Sequence, residues 1–566
     1  MLLFAASISP LVSFSQQRSI CAPPHEMEQA ITSTPSVSAY DSLGAYFGKR
    51  KENACAIAMF KQALALDQTS WESHYDLGVA QLGMGDTEPA LHELQRAASL
   101  HPTGKDIRMT YGTALERSHK LDEAIGEYKA VLAMDPRDLD GLYALAKALI
   151  TEKRYSAAVA YLKNAPPEEH LQLIQATAYS QGGNSDMAIQ LLSSILKVNP
   201  SCVEASDDLG VALSQEDRYR EAAQAFKNSL LLDPSDDVAR TFYLNMLIVL
   251  GDYSTAEPVA EAYLRREPDT FDAIYLAGAV EQGLGSYVAA EHLLGRAVVM
   301  EPAHYGARYR MGLVSARLGH LQEAREELQK AVQLKPLSSE AHFQLAKTLQ
   351  SMGLSGEAKR EFSIVQQEKE EVVKKDIATA KADLGNRALR EGNPKQAAAL
   401  FTDSIAEYSK SASIYYNLAL ALDEQHDLLG ERAALSKSIL LDTTFAPAHN
   451  QLGVLELVTG KLSEAEVQFQ LAISYDPQYA EAQNNLGVLY GKFDDRVRAE
   501  KLFVLATEND PKYAQAFVNL GLLMASESRF VEAEHVLGTA LQLSPRDSTA
   551  KTALALIRDS KEKRTK

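Results

Sequence analysis

Glu481-Ala482-Gln483-Asn484-Asn485-Leu486-Gly487-Val488-Leu489-Tyr490, followed by Ala499, Phe503, Ala506 and Asp510-Pro511, is the stretch that decides the fold of this 566-residue chain. Apolar residues recur through it at a helical period, over one segment and then over a second. Gly487 sits near the middle of the first segment, Ala499 lies twelve residues on, and Pro511 twelve further. Small residues on both segments let two helices approach closely. The proline after the second stops it and can start the next.

The same three markers repeat in both directions. Ala56, Ala90, Ala124 and Ala158 are 34 residues apart; after a shift the column resumes at Ala188 and runs to Ala358, and after another it continues through Ala397, Ala465, Ala499 and Ala533. A glycine column lies twelve residues upstream, from Gly44 to Gly521, and a proline column twelve downstream, from Pro102 to Pro545. Gly85, Gly183, Gly251, Gly285, Gly319, Gly353, Gly392 and Gly460 follow first helices, where a left-handed C-terminal cap costs glycine little. Fifteen units result, starting at residues 37, 71, 105, 139, 169, 203, 237, 271, 305, 339, 378, 412, 446, 480 and 514. Fourteen carry the alanine; the exception is Glu431.

Period, columns and paired helices resemble the tetratricopeptide repeat (TPR) family. The resemblance covers nearly everything from Val37 to Asp547. It implies an all-α solenoid coiled into a right-handed superhelix, with first helices lining the inside. The expected organisation is a signal peptide over 1–15, a flexible linker over 16–36, arrays over 37–376 and 377–547, and a capping helix with a polar, fraying tail over 548–566. Two irregularities stand out. The unit at 139 is cut short by Asn164-Ala165-Pro166-Pro167. Between Gly356 and Gly385 there is no Gly or Pro, which predicts a long charged helix through Glu368-Lys369-Glu370-Glu371 joining the two arrays.

Composition narrows the function. With 57 Lys+Arg against 75 Asp+Glu the chain has a net charge of −18, which disfavours nucleic acid and anionic membranes and favours basic or neutral partners. No apolar run reaches the roughly 18–20 residues a membrane span needs. Cys21, Cys55 and Cys202, odd in number and widely spaced, support neither a disulfide framework nor a metal site. Leu2 to Val12 is apolar, with Ser13 and Ser15 placed as in a secretory signal cut before Gln16, although no Lys or Arg precedes the run. That points to a periplasmic or secreted bacterial-type protein; without a functional signal the location is cytoplasmic. The histidines never fall three or four apart, and no nucleotide loop or nucleophile elbow occurs. No enzyme activity, metal or cofactor is expected.

Function is therefore sought on the inner face. In this family positions 2, 5, 6 and 9 of the first helix tend to face inward. Position 6 carries Asn417, Gln451, Asn485 and Asn519, and position 5 adds Asn450 and Asn484. An amide offers donor and acceptor together, so such a ladder suits an extended peptide backbone. It resembles the ladder in the repeat domain of O-linked N-acetylglucosamine transferases, here without a catalytic domain; it also matches ordinary repeat consensus on a wet helix face. Earlier units place Asp76 and Asp208 at position 6, with Glu72, Asp106, Asp140 and Glu204 at position 2, an acidic wall for Lys/Arg-bearing segments or simply solvated acids. Tyr75, Tyr143, Tyr275, Tyr309, Phe343 and Tyr416 occupy position 5. The expected peptide-binding residues are Asn417, Gln451, Asn484, Asn485, Asn519, Asp76, Asp208 and Tyr416. The expected function is a non-enzymatic scaffold for extended protein segments. The alternative is a substrate-recruiting subunit of a separate cell-envelope enzyme such as a glycosyltransferase.

Overall fold

Fourteen of the fifteen expected unit starts are the first residue of a helix, from Val37 and Trp71 to Ala480 and Ala514. The computed structural model describes residues 21–565, so the proposed signal segment lies outside the described residues. It is an all-α solenoid of helix pairs, with no strand among the described residues. The chain divides into two compact units, 1–178 and 179–566. The first holds a leading helix, His25–Ser33, and the pairs from Val37–Lys49 with Asn53–Leu66 to Leu139–Thr151 with Tyr155–Leu162. The second holds the helix Ser185–Val198 and the pairs from Val203–Gln215 with Tyr219–Leu232 onward, and ends in Ser548–Thr565.

The repeat columns explain the packing within each pair. The alanines of that column are shut away from solvent, thirteen at 0% and Ala358 at 3% exposure. Each column glycine lies beneath the large side chain sixteen residues later. A Cβ at Gly44 would stand 2.5 Å from the Phe60 ring, and one at Gly487 would stand 2.7 Å from Phe503. The same pairing joins Gly210 to Phe226 and Gly521 to Leu537. Those large side chains form the core: Phe226, Phe401, Phe469 and Leu537 are all fully buried.

Every unit also has one left-handed residue between its helices. Eight are the glycines named from the sequence, Gly85 to Gly460, with φ between 69° and 87°. The other seven are Lys51, His119, Lys153, Asp217, His426, Asp494 and Ser528 at the equivalent place. The turn geometry holds even where the residue is not glycine, so packing of the pair overrides the local cost of a left-handed side chain. First helices are capped by side chains in several units. Ser36, Ser70, Asp138, Asp236 and Ser338 accept from the backbone N–H three residues on.

Four features differ from expectation. Cys21 and Cys55 form a disulfide, with Cα atoms 5.6 Å apart, so the reading of three unpaired cysteines is corrected. The span read as a flexible linker contains the helix His25–Ser33, which packs Met27 and Ile31 on the first pair. That fold-back brings Cys21 to Cys55, a contact linear spacing could not reveal. Cys202 is buried. Second, the long charged helix is present but longer than expected. Ser355–Arg390 is one helix of 36 residues. It serves as the second helix of the unit at 339 and the first helix of the unit at 378, so the expected array boundary at 376/377 falls inside a helix. With no Gly or Pro between Gly356 and Gly385 to break the run, the backbone hydrogen bonds simply continue. Third, the compact division lies at 178/179, near the shortened helix Tyr155–Leu162 and the Pro166-Pro167 break. Fourth, the final helix continues to Thr565 rather than fraying from Lys561. No helix among the described residues is long and apolar enough to cross a membrane.

Candidate functional site: the first-helix face

In the later units the amide residues of successive first helices meet one another. Asn485 Nδ2 donates to Asn450 Oδ1 at 3.0 Å, and Asn519 Nδ2 donates to Asn484 Oδ1 at 2.8 Å. Each bond runs from position 6 of one first helix to position 5 of the previous one, 35 residues earlier. Asn450 and Asn484 also reach the Tyr479 and Tyr513 hydroxyls at 3.5 and 3.4 Å. Both are buried, at 4% and 3% exposure. The amides thus stitch repeat to repeat. Position 5 supplies the buried partner, and position 6 retains a half-buried amide.

Each amide has two donor hydrogens and an acceptor oxygen. The ladder bonds use one donor each from Asn485 and Asn519. Gln515 Nε2 donates to Asn519 Oδ1 at 3.1 Å, drawing on that acceptor too. One unit earlier, Gln451 Nε2 donates to Glu431 Oε1 at 3.0 Å and to Asp423 Oδ2 at 3.3 Å. Asn417 is half-buried beside Tyr416, whose ring stands edge-on to Phe445 with centroids 5.6 Å apart. Burial pushes the Tyr416 hydroxyl pKa up. Asn417, Gln451, Asn484, Asn485 and Asn519 therefore lie on four successive first helices, Ala412–Asp423 to Ala514–Ser526.

Asp76 and Asp208 belong to separate groups, one in each compact unit. The Asp76 carboxyl is pushed up to about 6, chiefly by burial and then by Asp41 and Glu72. Asp41 in turn accepts from Ser73 Oγ at 2.8 Å. The Asp208 carboxyl is pushed up to about 6 by burial, with Glu204 and Asp207 adding to the effect. These acids are crowded and part-desolvated rather than freely hydrated. A third set, Asp106, Asp140, Tyr143 and His170, lines a hollow of about 500 Å³ in the first unit, with the Tyr143 and His170 rings 5.8 Å apart.

One repeated device was missed in the sequence. Position 4 of the first helix is often polar and reaches the carbonyl six residues upstream. His74, Arg108, Arg308, His342, His449 and Gln483 do so at 2.7–3.1 Å. Five of them also bond a side chain nineteen residues on. Arg108 meets Glu127, Arg308 meets Glu327 and His342 meets Glu361, each at 2.6 Å. His74 meets Glu93 at 2.6 Å and His449 meets Gln468 at 2.8 Å. A search for polar pairs nineteen apart at the repeat period would have found this lock. It ties the entry loop to both helices of its own unit.

Comparison with known proteins agrees with this architecture. The family model described as tetratricopeptide repeat matches residues 275–339 and 382–443. That of the tetratricopeptide repeat protein 21 C-terminal ARM domain matches 87–274. The chain belongs to the tetratricopeptide-repeat family. Among curated tetratricopeptide-repeat relatives, it is 30% identical over 110 residues to BBSome complex member BBS4 of Xenopus tropicalis, covering 19% of this chain and 21% of that one. It is 24% identical over 249 residues to tetratricopeptide repeat protein 21B of Xenopus laevis, covering 39% and 19%. The matches thus span about a fifth of these relatives. Among solved structures, the APC/C hetero-tetramer Cut9-Hcn1 aligns over 96% of this chain and 94% of that chain at 15% identity, with a TM-score of 0.30. One of these relatives is named as a member of a protein complex, the BBSome.

Proposed function

We propose that this repeat protein is a non-enzymatic scaffold that holds an extended, basic or neutral segment of a partner along its first-helix face. The observation that carries the reading is the row of amides from Asn417 and Gln451 through Asn485 to Asn519, one per repeat. A side-chain amide presented at every repeat can follow a backbone that also repeats, and each bond is worth about 0.5–1.5 kcal/mol net, so several are needed together. The crowded acid at Asp208, in the same compact unit as the amide row, favours segments carrying Lys or Arg, and Asp76 offers the same chemistry separately in the first unit.

The same reading places the protein in an oxidising compartment, in the periplasm or outside the cell. The apolar stretch Leu2 to Val12 supports this, and so does the Cys21–Cys55 bond, since disulfides persist mainly outside the reducing cytosol. A pull-down from cell-envelope extract tests the proposal, with the protein as bait beside a variant carrying Asn417→Ala, Asn485→Ala and Asn519→Ala. Circular dichroism and thermal unfolding would first establish that the variant is folded. Partners lost only from the variant are the expected result. Equal recovery by both baits would remove the amide row from recognition.

A further inference from the structure

Glu431 breaks the rule that the other fourteen units keep. Its position is where helices pack closely, and elsewhere an alanine fills it. Here a carboxylate is buried, at 1% exposure. One of its oxygens, Oε2, is enclosed without a hydrogen-bond partner. The other accepts from Gln451 Nε2 at 3.0 Å. The adjacent Arg432 guanidinium offsets this charge only in part, because it bonds Glu456 through both Nη1 and Nη2. Burial drives the Glu431 pKa up, and Asp423 adds to the rise. A half-satisfied buried carboxylate is costly, and alanine at the same position would avoid the cost. Local departures of this kind concentrate at functional sites.

The surroundings say what the departure is for. Gln451 Nε2 stands between two carboxylates, Glu431 at 3.0 Å and Asp423 at 3.3 Å. A single neutral N–H₂ group thus occupies the place a cationic donor would take. Gln451 and Asp423 keep part of their surface in solvent. A cation arriving along the first-helix face meets them first, and the flexible Gln451 side chain can yield its place. An ammonium or guanidinium there would bridge Asp423 Oδ2 and Glu431 Oε1 with charge-assisted bonds in place of the neutral amide.

We propose that Asp423, Glu431 and Gln451 form a specificity pocket for one Lys or Arg side chain of the segment bound along this face. The pocket deepens the scaffold reading and rests on it. Most of the face reads backbone; this position reads charge. The departure from alanine is retained for recognition, at some expense of stability.

Selection from a phage-displayed library of random nonapeptides, using the full chain as bait, tests the pocket. The wild type should enrich Lys or Arg at one peptide position about tenfold over a neutral residue, as expected for a desolvated charge pair. Glu431→Gln, which keeps the shape, and Glu431→Ala, which restores the repeat pattern, should both still select peptides but lose that enrichment. Both variants should melt no lower than the wild type, so a lost preference cannot be put down to misfolding. Peptides selected without a basic preference by the wild type, or with the same preference by both variants, would overturn the pocket and leave the scaffold reading standing. A library yielding no binder to the wild type would overturn both.

Discussion

A single methyl group separates a tolerated from an untolerated change in this protein. At Gly487 an added Cβ would lie 2.7 Å from Phe503, which is itself buried in the core. Four residues later, Gly491 meets nothing within 4 Å. Gly487→Ala should therefore lower stability by about 1–3 kcal/mol, the usual cost of overpacking. Gly491→Ala should raise it by about 0.5–1 kcal/mol, because alanine has the better helix propensity. Urea denaturation of the two variants side by side checks the contrast. The glycine column was readable because each glycine meets a residue of its own unit, at a constant sixteen-residue offset. The amide residues were readable only as positions. Their bonding to one another depends on how adjacent first helices stack, and no offset within one unit encodes that. Glu431 was visible as an exception, but its enclosed oxygen appears only in three dimensions.

At the scale of helices, the leading helix His25–Ser33 has no buried residue of its own. Met27 and Ile31 give it a partial apolar footing, and the Cys21–Cys55 bond holds its start against the first pair. Cys55→Ser should cost about 2–4 kcal/mol by releasing a closed loop in the unfolded chain. Neighbour-only contacts confine the damage in a repeat array, so the loss should appear as faster hydrogen exchange over 25–66 with little change beyond Lys105. Exchange accelerated equally across all units would contradict that local picture. Helix starts were legible almost throughout, because capping and proline signals recur at the period. The leading helix was not. Its sequence, His25-Glu26-Met27-Glu28-Gln29, lies outside the repeat and has too few apolar residues to announce a buried face.

For the molecule as a whole, the acidic balance sets the response to pH. Asp76, Asp207 and Asp208 are each pushed up to about 6, mainly by burial. In the unfolded chain an aspartate titrates near 3.9. Between these values the folded protein binds more protons than the unfolded one, so stability falls as pH rises through this window. Stability from these three groups is full below about 4 and is lost once pH passes about 6. Carboxylates held low by partners, such as Glu221 beside Arg218, change stability in the opposite sense but only below their ordinary range. The urea midpoint should therefore rise on going from pH 7.5 to pH 5, and Asp76→Asn with Asp208→Asn should flatten that rise. A midpoint that falls over the same interval would show that other groups dominate. The repeat count and the all-α solenoid were legible at this scale because the period dominates the chain. The compact division at 178/179 was less so: Asn164-Ala165-Pro166-Pro167 stands out as shortening one unit, but a shortened helix does not by itself mark where the compact units part.

The unbroken helix Ser355–Arg390 makes the chain unequally tolerant of insertions and deletions. Elsewhere a residue gained or lost in the turn between helices can be taken up by the loop, leaving the flanking pairs in place. Inside a continuous helix nothing absorbs it. One added residue advances everything downstream by about 1.5 Å and turns it by about 100°. The number of residues from Ala358 to Gly385 therefore acts as a phase setting for the five units that follow. A drift of one residue there would re-aim the amide row and the Glu431 pocket together, without altering a single contact within them.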